Sequence, residues 1–219
     1  MSITASVPVK SLDEAVGLAL RQLIDGGSAS LKADTPFTRE EFERFCRAYP
    51  ELQAELSPEG HIEVMSPQTL LSNHNEGIAS ARLYNWWFGA REGLVLASNA
   101  GFTLPSGAVR SPDAAWVSAA TLAAAAPEEL QRMGEMVPDF VIEVMSKGDA
   151  LEPSRTKMAR TWRASGVRLG WLIDPRRRRS YVYRAGEDGY DTVDGFERHL
   201  DAHPVVPGFR LDLRDFVVP

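Results

Sequence analysis

The run Asp139-Phe140-Val141-Ile142-Glu143-Val144-Met145 decides how this chain is read. Its residues are mostly β-branched or aromatic, which makes it a strand. Side chains alternate along a strand, so Glu143 and Met145 share one face and Ile142 and Val144 the other. A carboxylate inside so apolar a run is costly to bury unless it reaches the end of the sheet or meets a cation or hydrogen-bond donors. Upstream, Pro112-Asp113 opens a comparable run, Asp113-Ala114-Ala115-Trp116-Val117, and neighbouring strands would bring Asp113 and Glu143 together. Downstream, Lys157 follows a polar loop and one helical turn. Two such carboxylates suit a hard divalent cation such as Mg2+, which takes one or two carboxylates and keeps several waters. An ammonium beside them can orient a water or offset charge growing on a phosphate. Taken singly, each residue is more often ordinary: Pro112-Asp113 a turn, Glu143 a strand-end acid, Lys157 a solvated helix residue.

Together, Ser-Pro-Asp-Ala-Ala-Trp-Val (111–117), Pro-Asp-Phe-Val-Ile-Glu-Val-Met-Ser (138–146) and Gly-Val-Arg-Leu-Gly-Trp-Leu-Ile-Asp-Pro (166–175) resemble the PD-(D/E)xK nuclease superfamily and, within it, the Uma-two family of restriction-endonuclease-like proteins. The resemblance runs from about Phe37 to Val217 with its motifs in order. It implies an α/β fold, a restriction-endonuclease-like mixed β-sheet flanked by helices, with the nuclease domain over 36–219; residues 1–35 lie outside the resemblance and are read from their spacing as an N-terminal helical extension. It implies hydrolysis of phosphodiester bonds in DNA with Mg2+, Mn2+ being able to substitute. The metal would be held by Asp113, Glu143 and the main-chain carbonyl of Val144. Two positions depart from the general pattern. Met145 stands where the superfamily carries a lysine two residues after the acid, and Lys157 on the following helix matches the family's alternative. Ser146-Lys147-Gly148 replaces the more usual Ser-Pro-Ser, which leaves the loop's shape open. Glu55 matches an acid in the family's first strand, as a third ligand or a carboxylate behind the ligands; a solvent-facing strand glutamate is the competing reading.

At 219 residues with 44% hydrophobic content, the chain suits one well-packed domain and is short for two. A single cysteine excludes an internal disulfide framework and a cysteine-rich zinc site, and it suits a reducing cytoplasm. The start carries no basic region followed by an apolar core, and no stretch approaches a membrane span, so a soluble protein without a membrane partner is expected. A net charge of −6 argues against a polyanionic partner at first sight, but residues 155–184 hold ten basic residues against the single acid Asp174. Such polarity fits a basic face for DNA. For Arg176–Arg179 a solvated turn between strands explains the charges equally well.

Along the chain, residues 11–24 show helical spacing. Thr38 and Glu41 form a capping-box pattern ahead of a second helix, and Cys46 on its apolar side reads as core. Residues 52–56 and 61–65 alternate like a hairpin around Ser57-Pro58-Glu59-Gly60. A long helix from Thr69 to about Arg91 presents Leu71, Ile78, Leu83, Trp86 and Trp87. His74 near its start lacks a partner and stays outside the site. The tryptophan pair reads as core or dimer interface before base stacking. Pro153 and Gly166 bound the helix that carries Lys157, with Met158 and Trp162 facing the core. Residues 169–173 form a buried strand and 180–183 an outer one. Because a duplex needs two cuts, a symmetric homodimer is expected. The rival function is a nuclease fold kept as a nucleic-acid-binding or interaction module without turnover. A further rival is hydrolysis of some other phosphoester. A Ser-His-Asp hydrolase is poorly supported, since no Gly-x-Ser-x-Gly elbow is present.

Overall fold

The structure, a computed structural model, describes residues 8–9, 29–33 and 35–218. The helix expected over 11–24 lies outside the described residues. In chain order the elements are β1 (Pro8–Val9), β2 (Ala29–Ala33), α1 (Arg39–Ala48), β3 (Gln53–Leu56), β4 (Ile62–Met65), α2 (Leu70–Ala90), β5 (Leu94–Ala97), β6 (Phe102–Thr103), β7 (Val109–Arg110), β8 (Ala114–Val117), α3 (Ala119–Ala124), β9 (Phe140–Val144), α4 (Leu151–Thr156), β10 (Leu169–Asp174), β11 (Arg179–Arg184), β12 (Asp191–Asp194), β13 (His199–Asp201) and β14 (Arg210–Asp212). They divide into two compact units, the first made of Met1–Pro67, Gly101–Ser111 and Gln131–Glu135 and the second of the remainder. The fold is mixed α/β. Among the described residues no helix is long and apolar enough to cross a membrane.

The first unit is built on a sheet of order β1-β2-β4-β3-β7-β6. The β3–β4 hairpin forms as its alternation requires, with Leu56 opposite Ile62 and Glu55 opposite Glu63. α1 is nucleated by the expected capping box: the Thr38 hydroxyl accepts from the Glu41 N–H, and the Glu41 carboxylate accepts from the Thr38 N–H at 2.8 Å. Its Phe42 and Phe45 pack on Leu56, Ile62, Val64 and Val109, with Cys46 against that core. Burial pushes the Cys46 thiol up to about 11, so it is no thiolate nucleophile at neutral pH.

The second unit holds the sheet of order β12-β11-β10-β9-β8-β5, in which only β9 and β10 run parallel. α2 begins at Thr69, whose hydroxyl accepts from the Ser72 N–H, and packs Ala79 and Leu83 on Val95, Ala114, Trp116, Phe140 and Ile142. Its buried face is Asn75, Glu76, Ala79 and Leu83. Leu71 and Ile78 are only half-buried, so the face differs from the one expected from hydrophobicity. Trp86 and Trp87 pack against the core and donate their indole N–H groups to the carbonyls of Pro207 and Gly93. They are anchors of the helix.

Residues 179–184 are not an outer strand. β12, from the acidic tail, pairs outside β11, which buries Ser180, Tyr181, Val182 and Tyr183. The aspartates at both ends of β12 mask it as turn. The helix of 151–165 lies over β10 at Gly170, where the end of the Met158 side chain fills the space a Cβ would take. Asp139, buried just before β9, accepts from the Ser118 N–H and the Thr121 hydroxyl, each at 2.8 Å, and pairs with Arg168. It fastens β9 to the end of β8 and to α3.

Candidate active site

Antiparallel pairing of β8 with β9 sets Ala114 opposite Ile142. One step further along that register, Asp113 comes beside Glu143. Asp113 is then tied to β9 directly: its Oδ2 accepts from the Val144 N–H at 2.6 Å. Val144 thus meets Asp113 through its amide. The carboxyl of Asp113 is held well above the usual carboxylate range, first by desolvation, then by the charges of Glu143 and Glu76; the Val144 N–H and Lys157 pull the other way.

Glu143, with 13% of its side chain exposed, is met by two donors from the helical stretch after α4. Lys157 Nζ lies 2.9 Å from Oε1 and 3.2 Å from Oε2. The indole N–H of Trp162 donates to Oε1 at 2.7 Å. Asp113, Glu143 and Lys157, three residues picked out in the sequence, are therefore gathered at the same ends of β8 and β9.

Glu76 is the acid that sequence reasoning missed. It is only 6% exposed on α2, and its charge acts on Asp113. One turn on, Ser80 donates its hydroxyl to the Asp113 carbonyl at 3.0 Å, which fastens this face of α2 to the Asp113 segment. Trp162 faces the core as its spacing predicts, and the structure adds a role for its polar edge, which meets Glu143. His74 is exposed on α2.

Glu55 belongs to the first unit. It is buried there, and its carboxylate accepts from Arg110 at 2.6 Å and from the Ser111 N–H at 2.9 Å. Arg110 also binds Glu63, so one guanidinium joins two strands' acids. Glu55 is therefore not the solvent-facing strand glutamate that the sequence also allowed.

The basic run is largely spent on acids outside it. Arg168 pairs with Asp139, Arg178 with Glu197, Arg179 with Asp194, and Arg184 with Asp191 and Glu187. Arg177 pairs with the wholly buried Asp174. Arg176 donates to the Lys147 carbonyl. The solvated-turn reading of Arg176–Arg179 gains most from this arrangement.

The donors at Asp113 and Glu143 are hard oxygens, and the charges of Glu143 and Glu76 both act on Asp113, so the residues fit a hard cation. Among the described residues no three His, Cys, Asp or Glu side chains are gathered as a ready-made metal cage. A two-carboxylate holding set completed by water is what Mg2+ accepts.

Residues 39–214 match the model of the Uma2 family, described as "Putative restriction endonuclease". Among solved structures the chain is similar to one from Anabaena variabilis described as "a putative nuclease belonging to DUF820". The TM-score is 0.63 and the identity 20%, covering 83% of this chain and 97% of that one. This likeness is one of fold. No curated protein matches.

Proposed function

The chain belongs to the Uma2 family, and from that premise we propose that it is a Mg2+-dependent endonuclease hydrolysing phosphodiester bonds in DNA, with residues 36–219 as its nuclease domain. The observation that carries this reading is the meeting of Asp113, Glu143 and Lys157, from three separate segments, through the Val144 N–H and the Lys157–Glu143 ion pair. Asp113 and Glu143, with the Val144 carbonyl, would hold Mg2+ or Mn2+. Such a cation supplies Lewis acidity toward the phosphate and a water acidic enough to attack it.

The chain's own residues do the rest. The Val144 N–H fixes the Asp113 carboxyl, and Lys157 and Trp162 fix Glu143, so neither acid has to reorient. Lys157, with 29% of its side chain exposed, orients the attacking water and offsets charge growing on the phosphate. A symmetric dimer would supply a second site for the second strand. A protein with one free cysteine acting on DNA is assigned to the reducing cytoplasm.

Supercoiled plasmid incubated with purified protein tests the reading: nicking in Mg2+ or Mn2+ and none in EDTA is the expected result. Cation uptake in calorimetry with intact DNA would point to another phosphoester as substrate. No cation uptake would point to a nuclease fold kept as a binding module.

A further inference from the structure

The stretch Lys157–Trp162 is π-helical, between α4 and a 3-10 turn over Arg163–Ser165. In an α-helix each residue turns by about 100°, so positions five apart point about 140° away from each other. Lys157 and Trp162 are five apart and would face different neighbours. A π turn closes between i and i+5 and turns less per residue, which brings the two toward the same side. That is the observed result: Lys157 Nζ and Trp162 Nε1 lie 2.9 and 2.7 Å from the same oxygen, Glu143 Oε1.

A buried indole N–H generally finds an acceptor, and this fold shows what suffices. Trp86, Trp87 and Trp116 donate to the main-chain carbonyls of Pro207, Gly93 and Glu92. Trp171, wholly buried, has no acceptor for its N–H. Trp162 alone among the five tryptophans donates to a carboxylate, and the helix leaves α geometry where it does so. A neutral donor holds an acid in place without cancelling its charge. Lys157 by itself would hold Glu143 only through a mobile ammonium.

We infer that Trp162 is a positioning residue for Glu143, and that the π turn exists to bring Trp162 and Lys157 onto that one carboxylate. The inference rests on the proposed metal-binding role of Glu143. It is tested on the full chain, 15N-labelled, by following the five indole N–H resonances in EDTA and on titration with MgCl2. Trp162→Phe keeps a buried ring and removes the donor, so the resonance it lacks is that of Trp162. That resonance should move in Glu143→Gln and should move in wild type when Mg2+ is added.

By calorimetry, Trp162→Phe should bind Mg2+ about tenfold or more weakly, the usual size of effect for a residue that orients a ligand. Unchanged Mg2+ affinity in Trp162→Phe, or an unmoved resonance in Glu143→Gln, overturns the inference while leaving the nuclease reading standing. Should wild type take up no Mg2+, the nuclease reading fails instead. The clamp is then decided by Glu143→Gln alone: a displaced indole resonance supports it and an unmoved one overturns it. If Trp162→Phe does not fold, displacement of a single indole resonance in Glu143→Gln makes the same decision.

Discussion

Replacing Asp113 by Asn should make the cation-free protein more stable. Its carboxyl lies half-buried beside Glu143, and desolvation and then the charges of Glu143 and Glu76 raise its pKa well above the ordinary value. An acid whose pKa is higher in the folded state binds more protons there than when unfolded. Stability therefore falls as pH rises from about 4, the unfolded value, toward the folded one. Asn carries no charge, and its amide oxygen can keep the 2.6 Å acceptor position for the Val144 N–H. Removing functional strain of this kind typically adds about 0.5–2 kcal/mol. For a chain of this size that raises Tm by about 1–8 °C. Thermal unfolding by circular dichroism in EDTA, repeated from acid to neutral pH, reads the effect: the gap should be small at low pH and widen as pH rises. Added Mg2+ should then reverse the order, since a ligand at 100 times its Kd stabilises wild type by about 2.7 kcal/mol and the variant has lost a ligand. A variant less stable than wild type in EDTA at neutral pH would refute the reasoning, because Asp113 would then be an ordinary structural acid.

Lys157→Ala should lower turnover by about 100-fold or more while Mg2+ affinity stays the same or rises, because one preorganised charge is lost and a competing cation is removed; single-turnover cleavage and calorimetry check the two halves. Asp139→Ala should destabilise by about 2–5 kcal/mol, since the Ser118 N–H and the Thr121 hydroxyl lose their acceptor. Its pH dependence runs opposite to that of Asp113. Desolvation raises the Asp139 pKa, but the donors from Ser118, Thr121 and Arg168 outweigh it and leave the folded value low. The stabilisation is complete above about pH 4 and is lost as pH falls through the folded pKa, so wild type and Asp139→Ala should converge in acid.

Local signals carried most of the fold into the sequence. The capping box at Thr38 and Glu41, the β3–β4 alternation and the long helix after Thr69 are each set by neighbours within a few residues, and all three form. Asp113, Glu143 and Lys157 could be linked because strand pairing and one helical turn bring them together. Glu76 could not be, since a glutamate amid Asn75 and Gly77 looks like a solvated helix face until α2 is laid on β8 and β9. The pairing of the arginines of 155–184 was hidden for a related reason: a local charge count omits the acids that reach them from Asp139, Asp191, Asp194 and Glu197. Trp162 was legible as apolar bulk, but its N–H bond to Glu143 depends on a π turn that no residue spacing announces. β12 hid for want of apolar alternation, its pairing with β11 being a matter of backbone register.

The most direct measurement is cleavage of supercoiled plasmid in Mg2+ by wild type and by Glu143→Gln, expressed and purified side by side so that a contaminating nuclease would appear in both. The account predicts that wild type nicks the plasmid, that EDTA stops it, and that Glu143→Gln leaves it supercoiled. Equal nicking by the two proteins, or none by wild type, would contradict it.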